Sequence, residues 1–240
     1  MRLINNLSDT ALLQKVENRS LTLPNQKNYE YAHEQAYKLA VEHLAKIDDI
    51  EQQCNKAGAQ YQIMGSKKVI NIKYLDQAYV VTLPDIDVSL ADNEEKVPIR
   101  DKVLILHYLA QAKGTPSSNK LITYKELPGG NVYFPTFLKR TVKPILKYFG
   151  NEPHLLINVA GSMGGYQVER GDVAVGFNAF SRVSVTLVLW RGDDEFGPDG
   201  SITFDANITD YLSSEDITVV CETVTWRLIN HLRERQTLQG

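Results

Sequence analysis

The apolar run Ser184-Val185-Thr186-Leu187-Val188-Leu189-Trp190 is followed at once by Arg191-Gly192-Asp193-Asp194-Glu195-Phe196-Gly197-Pro198-Asp199. Carboxylates this close repel one another, so the bend must hold them in water, pair them with cations or bind a metal. Asp193, Asp194, Glu195 and Asp199, with Asp205 shortly beyond, are hard oxygen ligands of the kind calcium or magnesium takes. The calcium-loop pattern D-x-[DN]-x-[DN]-G is absent. The competing expectation is a solvated loop in which Asp and Gly shape the turn and a carboxylate pairs with Arg191.

A second candidate centres on His107. A neutral imidazole can ligate a metal or shuttle a proton near neutral pH. Tyr108 is placed to support it, and Glu126 to approach from the next segment, giving a His/carboxylate catalytic set. His107 has no second histidine at ligand spacing, so the alternative is a core histidine bonded to a carboxylate or a carbonyl. His33 and His43 are too far apart for an i, i+4 metal pair, and His154 and His231 read as surface residues.

Two further patterns bear on binding. Leu127-Pro128-Gly129-Gly130-Asn131 opens a helix, and glycines there can admit an anion to free N–H groups, with Lys139, Arg140 and Lys143 nearby. The bland alternative is a tight turn capped by Asn131. The aromatics Tyr124, Tyr133, Phe134, Phe137, Tyr148 and Phe149 could line a pocket for a flat cofactor such as a corrinoid or heme, which makes Tyr124, Tyr133 and Arg140 the cofactor-binding candidates. Aromatic residues more often fill cores. Ser162 lacks the G-x-S-x-G setting of a nucleophile elbow and ends an expected helix, so no hydrolase triad is read there.

The elements that position these residues follow from periodicity. Residues 1–27 read as a loose leader with a short helix around Asp9 to Val16. A helix sets in from Asn28, with Ala32, Ala36, Leu39, Ala40, His43, Leu44, Ile47 and Ile50 on one face and Gly58 as its stop. A β-meander follows over Tyr61 to Leu83, ended by Pro84. Asp85 to Lys96 reads as an acidic irregular segment. The helix carrying His107 starts near Pro98, is apolar nearly all round, and is therefore expected to be central. A helix from Asn131 should be kinked or split by Pro144, and another opens at Pro153.

Three strands, ending at Trp190, then form an antiparallel set, with Ile202-Thr203-Phe204 briefly extended beyond. Ser213 and Asp216 form an N-cap pair for a last helix with Ile217, Val220, Cys221, Val224, Leu228 and Leu232 on its inner face. The expected fold is α+β: an N-terminal helix and β-meander, a helical middle, and an antiparallel C-terminal sheet closed by a C-terminal helix. Residues 28–240 are expected to form a single domain.

Composition narrows the function classes. The chain has 240 residues, 43% hydrophobic and 23% charged, with a net charge of −3. That balance gives no strong positive field for nucleic acid, although Lys139, Arg140, Lys143 and Lys147 could form a local patch. No apolar run reaches membrane-spanning length, and the first residues lack a signal-peptide pattern. The two cysteines, Cys54 and Cys221, are far apart and fit buried thiols better than a cluster or zinc site. A cytoplasmic location without nucleic-acid or membrane partners is expected.

Several motifs together resemble one family. They are Leu106-His107-Tyr108-Leu109, Tyr124-Lys125-Glu126-Leu127-Pro128-Gly129-Gly130 with Tyr133 and Phe137, Gly164-Gly165, Gly171-Asp172, Trp190, Gly192 to Phe196, and Phe204-Asp205 with Leu212 and Glu215-Asp216. In this order they resemble the domain-of-unknown-function family 3786, over roughly Tyr29 to the C-terminus. The resemblance implies a protein of bacteria and archaea, mostly anaerobes, with no assigned activity or catalytic residues. Some members are fused to a cysteine-rich iron–sulfur domain of the kind found beside corrinoid proteins. This chain lacks such cysteines, so the resemblance implies an accessory protein whose corrinoid or iron–sulfur group would come from a partner protein. The cofactor of the chain itself stays unknown at this point.

Overall fold

The computed structural model describes residues 26–239. The expected short helix around Asp9 to Val16, and nearly all of the expected leader, lie outside the described residues.

The first long helix is two helices, α1 (Gln26–Ala45) and α2 (Ile50–Ala57). The break has a local cause: the Asp49 side chain accepts from the Gln52 N–H at 2.9 Å and caps a new start. Gly58 ends α2 in the left-handed region, as its position predicts. The buried face of α1 also departs from expectation. It runs through Ala40 and Leu44 with Tyr37 and Val41 packed alongside, while Leu39 is exposed and His43 faces out.

The meander is a four-stranded antiparallel sheet, β1 (Gln60–Met64), β2 (Lys67–Tyr74), β3 (Gln77–Leu83) and β4 (Asp87–Leu90), in that spatial order. The segment from Asp85 to Lys96, expected to be irregular, therefore contributes a strand. Val88 on it is buried opposite Val81. Two apolar neighbours in cross-strand register are enough to hold so short an edge strand. At the other edge β1 is mostly exposed, with Ile63 and Met64 facing Lys68 and Lys67 across the hairpin.

Helix α3 (Ile99–Gln111) is central, as expected: Leu104, Ile105, Leu106, Tyr108 and Leu109 are all buried. The helix after Leu127-Pro128 is split, but at Thr141 rather than Pro144, giving α4 (Gly130–Arg140) and α5 (Val142–Phe149). Buried Thr141 leaves helical geometry and turns its hydroxyl back to Phe137 O at 2.7 Å. Pro144 then falls in the first turn of α5, where a missing N–H costs nothing. Helix α6 (His154–Gly161) follows.

The second sheet is antiparallel, with β5 (Leu121–Thr123), β9 (Asp199–Asp205), β8 (Val183–Trp190), β7 (Val173–Phe180) and β6 (Tyr166–Gln167) in that order. Strand β9 is longer than the three extended residues expected, because pairing with β8 carries it from Asp199 to Asp205. Helix α7 (Ser214–Gln239) closes the fold, with all six predicted inner-face residues buried. Among the described residues no helix is long and apolar enough to cross a membrane.

The two sheets meet through one backbone bond and one aromatic stack. Leu75 N–H donates to Ala179 O at 3.0 Å, joining the β2–β3 turn to β7. Behind it Phe180 lies on Tyr108, with ring centroids 4.0 Å apart and planes at 6°. Tyr74 stacks on the other side of Phe180 at 4.9 Å, and Tyr211 flanks Tyr108 at 6.0 Å. One ring comes from each sheet, one from the central helix and one from the segment before α7, so this stack is where the layers are registered.

Candidate functional site

His107 is half-buried, and its Nδ1 lies 2.9 Å from Asp216 Oδ1. Asp216 is the third residue of the capping box that starts α7. Its other oxygen accepts the Ser213 hydroxyl at 2.6 Å, while its own N–H donates to Ser213 Oγ at 3.1 Å. The cap pair read from the sequence therefore also holds the histidine. A carboxylate only accepts, so Nδ1 carries a proton in either charge state of the ring. The bond from Asp216 raises the His107 pKa above its ordinary 6.5, against a lowering effect of burial, and the charges of Asp216 and Glu215 add to the rise. For Asp216, burial pushes the pKa up, but the bonds from His107 and Ser213 prevail and hold it below its ordinary value.

These shifts have a defined consequence for stability. The histidine's contribution is complete below pH 6.5 and is lost as pH rises through its higher folded pKa. The carboxylate's contribution is present above its unfolded pKa and is lost as pH falls through its lower folded value. The pair is therefore worth most in the mildly acidic window between them. His107→Gln keeps a donor but cannot titrate. Thermal unfolding of this variant should fall short of the parent by about 1 kcal/mol near pH 5.5, given partial solvent screening. The gap should close as pH rises through the raised folded-state pKa of His107, where the imidazole loses its charge. A gap independent of pH would mean that the pair does not titrate as an ion pair.

The other expected catalytic partners are engaged elsewhere. Tyr108 OH donates to Ala57 O at 2.6 Å and accepts from the Arg182 N–H. Glu126 is an exposed residue of a capping box, its carboxylate accepting the Thr123 N–H at 2.7 Å, a bond that lowers its pKa. The structure joins His107 to Asp216, and no bond joins it to Glu126.

The cofactor candidates are dispersed. Tyr124 is buried, stacked on Phe137 at 4.0 Å, and its hydroxyl meets Thr218 Oγ1 at 2.9 Å. Tyr133 is exposed, and Arg140 makes a two-pronged pair with Glu222 at 3.1 and 2.6 Å. Asn131 does not cap α4. Gly129, with φ of 71°, precedes the helix, and a Cβ on Gly130 would stand 1.9 Å from Tyr124 O. The N–H groups of Gly130, Val132 and Tyr133 all donate to Leu127 or Gly129 carbonyls, so the turn bonds to itself.

The acidic bend is likewise occupied with its own backbone. Asp193 Oδ1 accepts the N–H groups of Phe196 and Glu195 at 2.7 and 2.9 Å, which lowers its pKa. Asp194 and Glu195 are exposed, and Asp199 accepts the Gly200 N–H. Arg191 is joined to a carboxylate through its backbone N–H, which donates to Asp172 at 2.8 Å. Asp205 is apart from the bend. Partial burial pushes its pKa up, but bonds from Ser117, Asn207 and Ser118 overcome this and leave it well below the usual carboxylate range. Among the described residues, no group of three or more His, Cys, Asp or Glu is arranged to hold a metal ion. Both cysteines are free and buried, and burial raises both thiol pKa values.

The concave site lies where the sequence drew no attention. Tyr74 pairs with Gln77, so Leu75 and Asp76 are the two central residues of a tight hairpin. Both adopt left-handed backbone, φ 48° and 63°. Such turns favour Asn-Gly, and a leucine there is strained. Burial of the Leu75 side chain and its bond to Ala179 hold it in place. The strained turn presses Asp76 against Gly164, also left-handed, where a Cβ would meet the Asp76 carboxylate at 2.7 Å.

On one side of this contact is a groove of about 390 Å³ lined by Gln77, Ser162, Arg227, Asn230, His231 and Glu234, among others. On the other side is a hollow of about 310 Å³ reaching Lys73, Asn178 and Ser181. Neither is lined by His107, Tyr124, Tyr133, Arg140 or the acidic bend. His231, expected on the open surface, is half-buried on the groove wall. Arg227, Asn230, His231 and Glu234 follow 3-4-7 spacing on α7, which puts them on one helix face. Arg227 is backed by buried Asp101 at 3.7 Å and sits over the Tyr74 ring, 5.7 Å from its centroid.

A two-sheet α+β protein with a polar groove between a strained hairpin and its last helix is the class these observations define. The pattern described as domain of unknown function (DUF3786) matches residues 49–227, and the chain belongs to that family. No curated protein and no solved structure matches the chain.

Proposed function

We propose that this protein is an accessory binding protein that holds a small polar molecule in the groove beside α7. The observation that carries this reading is the strained Leu75-Asp76 turn closing on Gly164 at the groove. Strain kept by a fold at the rim of a cavity is a recurring mark of ligand sites, and the volume is within the range of small-molecule sites. The family resemblance extends the reading to a corrinoid or iron–sulfur system. The buried cysteines make poor ligands, so the redox group would belong to the partner protein.

The test uses the full chain and Gly164→Ala. A Cβ at residue 164 meets the Asp76 carboxylate and strains a left-handed backbone, so the rim must shift. Ligand-observed NMR against a panel of soluble metabolites should find a ligand for the parent protein and at least tenfold weaker binding for the variant. Circular dichroism and a melt establish that the variant is folded. Binding that is the same in both proteins, or no binding by either, rejects the reading.

A His/carboxylate enzyme is the second reading, and the His107–Asp216 contact is the observation in its favour. Against it, Asp216 is already committed to the α7 cap, and Tyr108 and Glu126 are turned to other partners. Asp216 and Arg227 are eleven residues apart on α7, about 16 Å along the axis at the rise of an α-helix. The pair therefore does not serve the groove directly.

A further inference from the structure

We infer that the groove takes a small zwitterion, a molecule with a carboxylate and an ammonium group in the size range from an amino acid to a short peptide. This deepens the binding reading above and rests on it. The argument is one of charge balance along a short wall. Arg227 is the cation on the groove, a third exposed and steered from behind by Asp101 and the Tyr74 ring. A guanidinium has five N–H donors in a fixed fork, and the Asp101 carboxylate at 3.7 Å together with the Tyr79 hydroxyl does not use them all. It therefore offers a two-pronged seat to a carboxylate.

The carboxylates facing the same space are Asp76 on the hairpin and Glu234 two turns further along α7. Each has one weak neighbour, Lys73 at 3.8 Å from Asp76 and His231 at 3.7 Å from Glu234, and both are largely exposed. On the groove wall itself Asp76 and Glu234 outnumber Arg227, while Arg100 shares Asp101 behind the wall and Lys73 stands beside Asp76. A simple anion would bring its charge toward Asp76 and Glu234. A simple cation would leave the arginine fork without an acceptor. A zwitterion satisfies both ends. Arg227 and Glu234 are about 10 Å apart along the helix axis, a span that three extended residues cover. A single amino acid would instead bridge Arg227 and Asp76. Ser162, Asn230 and Gln77 supply neutral donors and acceptors between the charged ends.

Calorimetric titration of the full chain with free amino acids and with di- and tripeptides tests this. Each is compared with its N-acetylated and C-amidated forms. The free zwitterions should bind, and blocking either end should weaken binding at least tenfold. Glu234→Gln alters a largely exposed side chain and keeps its size. If peptides are held, this variant should weaken the free peptides several-fold and leave the N-acetylated ones unchanged. If single amino acids are held, Asp76→Asn should do the same for them. Equal affinity of free and blocked forms overturns the inference. So does a non-zwitterionic metabolite that binds the parent and is lost in Gly164→Ala, an outcome that leaves the binding reading standing. No binding by any compound overturns both.

Discussion

Phe180→Ala should lower the stability of this protein by about 4 kcal/mol, the usual cost of deleting a fully buried phenylalanine ring. Phe180 is 2% exposed and is the ring shared by Tyr74 and Tyr108 in the stack. Its loss removes apolar contact and opens a void that two tyrosines cannot fill without moving. The Tyr108 hydroxyl restrains that movement, since it donates to Ala57 O and accepts the Arg182 N–H. Chemical denaturation measures the effect. Phe180→Leu should recover more than half of it by refilling the volume. A loss below about 1.5 kcal/mol, the scale of a volume-conserving core change, would show that the stack does not join the layers.

Arg227→Ala should cost about 2 kcal/mol. Truncating one partner of a buried ion pair leaves the other uncompensated. The figure is set at the low end because the guanidinium is a third exposed and Arg100 still faces Asp101. Burial already lifts the Asp101 pKa above its ordinary value, with Arg227 and Arg100 pulling against it. Without Arg227 that pKa should rise further, so the penalty should shrink as pH falls and Asp101 takes up a proton. Asp101→Asn placed on top of Arg227→Ala should recover most of the loss. Strict additivity of the two substitutions in a denaturation series would contradict the coupling.

The parts of this fold that were legible in the sequence are those fixed by local rules. The α7 face, its Ser213-Asp216 cap, the meander and the central α3 all follow from apolar period and capping chemistry. The misread parts are those that depend on a neighbour. Leu39 fits the helical period of α1, yet the partner surface selects Tyr37 and Ala40. Asp87 to Leu90 alternates polar and apolar over only four residues of an acidic segment, and pairing with β3 makes it a strand. The acidic bend drew attention because charge density is visible in a sequence. Its best-placed carboxylate, on Asp193, serves two adjacent N–H groups.

The groove was hidden for the same reason. Its residues come from a hairpin, a glycine loop and the far end of α7, and no linear spacing connects them. One signal was present. A two-residue connection between Tyr74 and Gln77 demands left-handed backbone, and Leu-Asp is a poor sequence for it. His107 shows the opposite case. A histidine on an apolar helix and a carboxylate in a helix cap are each legible locally, and only the tertiary fold brings them together across 109 positions.

The outer hairpin of the first sheet sets positive charge beside an exposed apolar margin. Among the described residues strand β1 is the outer edge of its sheet, and Ile63 and Met64 on it are exposed. Lys68 and Lys67 stand directly across from them, so a second molecule adding itself strand to strand would bring ammonium groups together. Replacing both lysines by neutral residues would leave that apolar margin without its neighbouring charges and less protected against edge-to-edge pairing.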